Sequence, residues 1–316
     1  MAYLVSDFLT LVRQYGMLPS TTSNGTADAD ILRVADEELR TRITPLVVAS
    51  RQEWWVVVGR TALTANQQVY KIPRRAVGGR LRELQIQRAD GTFRNLKRLE
   101  LEESYRYNHT STGEPEAFWI KGEAVYLWPK PATTSGYLRF DFMARPGRLT
   151  STSPTNYAIS QITDLPANEV YLYTATAPVT VGEIGYVDIV RAGSGFSYLS
   201  VDVYGESVSG PIFQVYSKYD LPDDYTSFIQ GDYCFPSDQC FVVPLPAELH
   251  GVFVNFTVAA LKRQLGDLQS AQVFEATAQK MASDSLQTFE PRSDGEPRKL
   301  RGGLLWRTKA TRWNWR

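Results

Sequence analysis

Pro244-Leu-Pro-Ala-Glu-Leu-His-Gly-Val-Phe-Val-Asn-Phe-Thr-Val-Ala-Ala-Leu-Lys-Arg-Gln-Leu265 decides how the chain is read. Two prolines end whatever precedes them, and a helix starts at about Ala247. Leu249, Val252, Phe253, Phe256 and Ala260 recur at helical spacing on one face. Val254, Val258, Leu261 and Leu265 give the same helix a second apolar face, so it is expected to be covered on two sides. Gly266-Asp267 interrupts it, and Ser270 to Leu286 reads as a further amphipathic helix through Val273, Phe274, Thr277 and Met281.

Helices of the N-terminal segment are the natural partners. Leu4, Phe8, Leu11 and Val12 fall at helical spacing behind Ser6 and Asp7, and Gly16 is a stop. Asp28 begins a second helix with an apolar stripe of Ile31, Leu32, Ala35, Leu39 and Ile43. Pro45 lacks the amide proton and is expected to kink or end it.

Between the helical ends lie two β blocks. Val56 to Val58, Val69 to Ile72 and Leu84-Gln-Ile-Gln87 are strand-like, and Ala89-Asp90-Gly91 is a hairpin turn. A second hairpin turns at Lys121-Gly122-Glu123, and Tyr137 to Ala144 carries Leu138, Phe140 and Phe142 on one face. Leu99 to Tyr107 is acidic and reads as a short helix. From Thr150 to Val243 short strands alternate with Gly, Ser and Pro turns, with Val170 to Tyr173, Gly185 to Val190, Val201 to Tyr204 and Ile212 to Tyr216 foremost. That spacing predicts a small antiparallel sandwich or barrel. The expected fold is α+β. Residues 1–53 and 245–290 form a discontinuous helical bundle, 54–149 a β-hairpin region, 150–244 an inserted β domain, and 291–316 an extended C-terminal arm.

Composition excludes several classes of function. Lys+Arg and Asp+Glu both total 34 in 316 residues, so no overall field favours nucleic acid or membrane. With 43% apolar residues the chain can bury a core. No apolar run approaches the roughly 20 residues of a membrane span, and Met1 to Val12 has no basic region ahead of its apolar residues. Asn24, Asn108 and Asn255 open glycosylation-like triplets that have no reason to be modified in such a protein. Two cysteines, Cys234 and Cys240, make no disulfide scaffold, and two histidines leave little scope for a metal. No cofactor is expected, and no enzymatic activity.

Motifs that suggest chemistry do not hold up. Gly193-Ser-Gly195 lacks a third glycine and the Gly-Lys-Ser/Thr of a phosphate loop, and reads as a turn. In Gly205 to Gly210, Ser209 stands where a nucleophile elbow needs its second glycine. His109 falls in a polar loop, and His250 opens a helix in a surface or packing role. Asp220, Asp223 and Asp224 sit within Tyr219-Asp-Leu-Pro-Asp-Asp-Tyr225. Such a cluster suits glycan hydrolysis or Ca²⁺ when suitably spaced, but a solvated turn is the commoner use.

The strongest single feature is the C-terminal arm. Arg298, Lys299, Arg301, Arg307, Lys309, Arg312 and Arg316 occur there with no acidic residue, leaving residues 1–297 with 27 cationic side chains against 34 anionic ones. Three of the seven tryptophans, Trp306, Trp313 and Trp315, lie in the same stretch. The arm suits phosphate contact with base stacking, or docking on a protein with tryptophan anchors and arginine pairs. Several such arms in one assembly act together, which favours an oligomer whose arms grip a second oligomer.

The order of several stretches resembles the head-to-tail adaptor (connector) proteins of tailed bacteriophages, in the longer form found in short-tailed phages. Those stretches are Asp30-Ile-Leu-Arg-Val-Ala-Asp-Glu-Glu-Leu-Arg40 and Val69-Tyr-Lys-Ile-Pro-Arg-Arg-Ala-Val-Gly-Gly-Arg-Leu-Arg-Glu-Leu84. They continue with Glu114-Pro-Glu-Ala-Phe-Trp-Ile-Lys-Gly-Glu-Ala-Val-Tyr-Leu-Trp-Pro-Lys-Pro131 and then Arg145-Pro-Gly-Arg-Leu149. Leu245-Pro-Ala-Glu-Leu-His250 and Pro291-Arg-Ser-Asp-Gly-Glu-Pro-Arg298 complete the series. Short adaptors have nothing as long as Thr150 to Val243.

The resemblance implies a structural virion protein of the neck, between capsid and tail, made in the host cytoplasm. It implies a twelve-membered ring of identical copies beneath the portal ring, with a channel through which DNA passes without sequence recognition. Its partners are then the portal protein, further copies of itself, and a tail nozzle or tube with fibres; no membrane is involved. On this reading Trp306, Arg307, Lys309, Arg312, Trp313, Trp315 and Arg316 bind the portal. Val254, Val258, Leu261 and Leu265 sit at the subunit interface. A virion-associated glycan hydrolase using Asp220 to Asp224 and a DNA clamp are the rival readings.

Overall fold

The computed structural model describes residues 3–18, 26–50, 54–88, 90–107, 109–164, 169–192, 197–216 and 228–288, in a mixed α+β arrangement. The arm at 291–316, with its proposed portal-binding residues, lies outside the described residues, as do Asp220, Asp223, Asp224 and Gly193 to Gly195.

At the N-terminus α1 spans Val5–Gly16 and α2 spans Asp28–Glu38. Pro45 does not end the second helix. The backbone widens into a π turn at Leu39–Ile43, and α3, Thr44–Ser50, continues beyond it. Thr44 Oγ1 donates to the Leu39 carbonyl at 2.8 Å, so a side chain helps to satisfy the backbone where the regular ladder changes pitch. A four-residue α4, Leu101–Ser104, is shorter than the acidic stretch suggested. Leu99 is claimed by the neighbouring sheet, its amide donating to the Phe118 carbonyl at 2.8 Å, and Glu103 accepts the Glu100 amide at 3.3 Å at the helix start.

The late helices are α5, Ala247–Gln264, and α6, Leu268–Thr288. Gly266, with φ of 81°, makes the break that a side-chain-bearing residue resists, and Asp267 Oδ1 then accepts the Ser270 amide at 3.1 Å at the head of α6. α5 packs against α1, α2 and α6. Phe8 and Phe253, both fully buried, stack with ring centroids 4.6 Å apart. On α2's side the Arg42 guanidinium lies 5.0 Å from the Phe256 ring centroid and pairs with Glu275 of α6 at 2.6 Å. Met281 of α6 approaches α5 at Gly251, where a Cβ would stand only 2.8 Å from its terminal methyl. The main chain ties the two ends of the sequence as well, because the Val243 amide donates to the Tyr3 carbonyl at 3.0 Å.

Two four-stranded sheets follow α3. The first is antiparallel, in the order Val56–Ala62, Tyr137–Ala144, Ala76–Gln87, Phe93–Asn95. Leu138, Phe140 and Phe142 alternate inward, as period-two burial requires. The strand expected at Val56 to Val58 runs on to Ala62, because Gly59 to Ala62 pair in register with Phe140 to Tyr137 despite their low hydropathy. The second sheet has the order Val69–Lys71, Ala124–Trp128, Ala117–Lys121, Lys97–Arg98 and turns at Gly122, φ 62°. Trp55 Nε1 donates to the Pro244 carbonyl at 2.8 Å, fastening the sheets to the head of α5.

The block after Thr150 is one six-stranded antiparallel sheet. Its order is Ile159–Asp164, Val170–Thr174, Ile212–Val215, Tyr198–Ser209, Ile184–Val190, Tyr233–Pro236. The two outer strands meet through an Ala158–Tyr233 bridge, with the Ile159 amide on the Asp232 carbonyl at 2.6 Å and the Gly231 amide on the Ile159 carbonyl at 2.8 Å. The sheet therefore closes on itself as a small barrel around Ile159, Leu172, Val187, Val203, Phe213 and Cys234. Val190, Tyr198 and Phe235 instead join the main core, so one end of the barrel is continuous with the helices and first sheets.

Candidate functional site

Where barrel and sheets meet, Arg75 and Asp188 form an ion pair with side chains 3% and 0% exposed, Nη1 to Oδ2 at 2.8 Å. Sequence places each partner locally. The turn Pro73–Ala76, closed by the Ala76 amide on the Pro73 carbonyl at 2.9 Å, delivers Arg75 at the head of its strand. Asp188 sits at a register shift between Val187 and Ile189, which aims a carboxylate inward from an otherwise apolar strand.

The remaining bonds leave little unsatisfied. Arg75 Nε and Nη2 both donate to the Arg145 carbonyl, at 2.9 and 2.7 Å, and Asp188 Oδ1 accepts the Asp202 amide at 3.0 Å. Asp202 adopts φ of 54° to offer that amide. Asp238 adds a second carboxylate 3.1 Å from Arg75 Nη1, and Arg74 bridges Asp202 and Asp238 at 3.1 and 2.9 Å. Burial pushes the Asp188 carboxyl up to about 6 against the pull of Arg75 and the Asp202 amide, so it is ionised at neutral pH. This is a lock between two β regions. Each charged group in it faces an opposite charge, the arrangement of a structural tie.

Beside the lock runs an open, arginine-rich groove. One cleft of about 450 Å³ is lined by Arg74, Arg75, Arg145, Arg148, Arg40 and Asp238, among others. A second, of about 720 Å³, shares Arg40 and Arg148 and extends along α2 past Arg33, Asp36 and Leu32 to Leu149. Asp36 Oδ1 accepts the Leu149 amide at 2.9 Å. Burial raises the Asp36 pKa while the Leu149 amide, Arg40 and Arg148 pull it back. The side chains of Arg40, Arg145 and Arg148 are exposed and make no ion pair among the described residues.

Of the side chains expected at a subunit boundary, Val254, Val258 and Leu261 are buried within the chain itself, while Leu265 is 60% exposed. Leu268 and Val273, close by in α6, are exposed too. Cys234 and Cys240 are both free and buried, Cys234 in the barrel interior and Cys240 in the main core, where burial pushes its thiol up to about 12. His109 is exposed with its ring edge-on to Trp119. Among the described residues there is no cluster fit to hold a metal ion, and no helix long and apolar enough to cross a membrane.

His250 takes a packing role. Its ring, in a residue 9% exposed, stacks on Tyr3 at 4.0 Å, and Nε2 lies 3.0 Å from the Leu245 carbonyl. Burial lowers its pKa from 6.5 to about 4, against the opposite pull of the Leu245 carbonyl and Glu248. The folded state thus holds a neutral ring. Its contribution to stability is whole above pH 6.5 and is lost as pH falls toward 4, by about 3 kcal/mol. Urea unfolding of the wild type and of His250→Phe should show a stability difference that shifts by that amount between pH 7 and 4. A pH-independent difference contradicts the assignment. Comparing the two proteins cancels Asp188, whose raised pKa acts in the opposite direction between pH 6 and 4.

Sequence reading missed the lock and the groove. Arg74, Arg75, Arg145 and Arg148 lie in stretches whose local pattern shows only the entry and exit of strands. The usable signal for Asp188 was a lone carboxylate in the strand Gly185 to Val190, which solvent alone would not explain.

A family model described as SU10 adaptor protein matches residues 4–177. The match runs from α1 through both first sheets and past the barrel's second strand, and includes Arg75, Arg145 and most of the groove but stops short of Asp188. None of the curated proteins compared matches the chain.

Proposed function

The chain belongs to the SU10 adaptor protein family, and from that premise we propose that it is a structural protein of the phage neck, forming a twelve-membered ring. This ring joins the portal to the tail and leaves a channel for DNA, without bond-making chemistry. The carrying observation is the family match over more than half of the chain. In support, α5 packs against α1, α2 and α6, joining helices from the two ends of the sequence. Since Val254, Val258 and Leu261 are filled from within, lateral contact between copies falls on Leu265 with Leu268 and Val273, the exposed apolar side chains at the α5–α6 turn. The arm residues Trp306, Arg307, Lys309, Arg312, Trp313, Trp315 and Arg316 grip the portal.

Electron microscopy of the purified protein, alone and mixed with its portal ring, tests the reading. Rings that cap the portal coaxially are the expected outcome, whether they pre-exist or assemble on docking. Portal particles that remain bare at saturating protein concentration reject it.

A further inference from the structure

We propose that the arginine groove between α2 and the 145–149 segment docks a carboxylate-bearing polypeptide segment of a neighbouring protein. The inference rests on charge and geometry and does not depend on the adaptor reading. Residues 1–297 carry 27 cationic against 34 anionic side chains, so an arginine cluster on this body stands against an acidic background. Within the groove Asp238 is already engaged by Arg74 and Arg75, and Asp36 by the Leu149 amide. Arg40 and Arg148 act on the Asp36 carboxylate from a distance but make no ion pair with it, and with Arg145 they present exposed guanidinium donors to an incoming anion. A guanidinium presents parallel donors that match a carboxylate bidentately, and all three groups are arginine.

The other lining residues favour a polypeptide over nucleic acid. A duplex carries one charge per about 1.7 Å of axis, and such an unbroken phosphate track would run against Asp36 and Glu37 in the same cleft. A peptide can alternate, placing carboxylates at Arg145 and Arg148 and amides or cations at Asp36 and Glu37, with Leu32 and Leu149 beneath. The backbone at this place is held independently of the exposed side chains. The Arg145 carbonyl is clasped by Arg75, and Arg148–Leu149 pairs with Gln239–Cys240. Changing the guanidinium groups therefore alters the surface without opening the fold.

Hydrogen exchange of the full chain with an alternating (Glu-Gln)5 peptide as probe tests this site by site. Exchange should slow in residues 29–41 and 145–152, and Arg145→Glu with Arg148→Glu should weaken the binding behind that protection about tenfold. Arg80→Glu with Arg98→Glu, an equal charge change on exposed side chains outside the groove, should leave it intact. Arg145→Ala with Arg148→Ala serves as the milder pair should the reversal disturb folding. Protection confined to residues 298–316, or unchanged in both groove variants, overturns the proposal. So does stronger protection of 29–41 and 145–152 by a DNA duplex of equal charge, which would make the groove a nucleic-acid site.

Discussion

Asp188→Ala is expected to destabilise the fold by about 3–5 kcal/mol at pH 7.5, the cost typical of leaving one buried charge without its partner. Arg75 is 3% exposed, so most of its guanidinium stays buried once the carboxylate is gone. Asp238 is 3.1 Å away but half exposed and already bridged to Arg74, so it replaces Asp188 only in part. Arg75→Ala should cost a similar amount, since it strips Asp188 of its cation and the Arg145 carbonyl of two donors. Arg75→Lys keeps the charge but not the fork, and should recover only a fraction. The double variant Arg75→Met with Asp188→Leu should cost clearly less than the sum of the single changes, because no unpaired buried charge remains. Urea unfolding across this cycle reads the coupling directly. Single variants that lose less than about 1 kcal/mol would falsify the lock, since that is the scale of an exposed pair.

The lock also determines where the barrel's mobility can arise. Arg75 and Arg145 belong to the sheets, Asp188 and Asp202 to the barrel, and Asp238 to the chain returning toward α5. One charged cluster thus ties the barrel to the turn before the Ala76–Gln87 strand and to the exit of the Tyr137–Ala144 strand. In the single variants the barrel should loosen first, so hydrogen exchange should rise at 184–209 before it rises in α5.

Local pattern carried much of this fold. α5 begins at Ala247 and gives way at Gly266 as its prolines, apolar spacing and glycine dictate. Tyr137–Ala144 is a strand with Leu138, Phe140 and Phe142 inward for the reason its alternation implies. What pattern could not carry is pairing across distance. Arg75 and Asp188 are 113 residues apart, and nothing near either names the other. Barrel closure depends on Ala158 meeting Tyr233, again a distant contact. Pro45 misled because a π turn and the Thr44 hydroxyl absorb what a regular helix would not. Two apolar faces on α5 indicated double cover, yet periodicity is silent on whether a neighbour or the chain's own α6 supplies it. For Val254, Val258 and Leu261 the cover lies within the chain.

Deleting Gly302 to Arg316 is expected to abolish capture by the portal while leaving the body folded. Among the described residues the main core ends at Ala282, so the urea midpoint is expected to stay where it is. The deleted stretch removes Trp306, Trp313 and Trp315 together with Lys309 and three arginines, and tryptophan and arginine are among the residue types that most often dominate binding energy at protein interfaces. On the proposed reading a single arm should bind weakly, because fixing a backbone segment in a complex costs about 1–2 kcal/mol per residue against what three indoles regain. In a ring the arms act in concert. Once one is seated its neighbours are held close, and avidity gains of about 10²–10⁴ are ordinary. The loss on deletion should therefore be total at micromolar protein, and steeper than any single tryptophan change. Replacing the three tryptophans by alanine while keeping every cation separates anchoring from general attraction. Anchoring predicts loss of capture with retained, salt-sensitive adhesion to DNA; a purely electrostatic arm predicts that both survive. Undiminished portal capture by the truncated chain would place the contact elsewhere on the body, and the exposed arginines of the groove would be the first place to look.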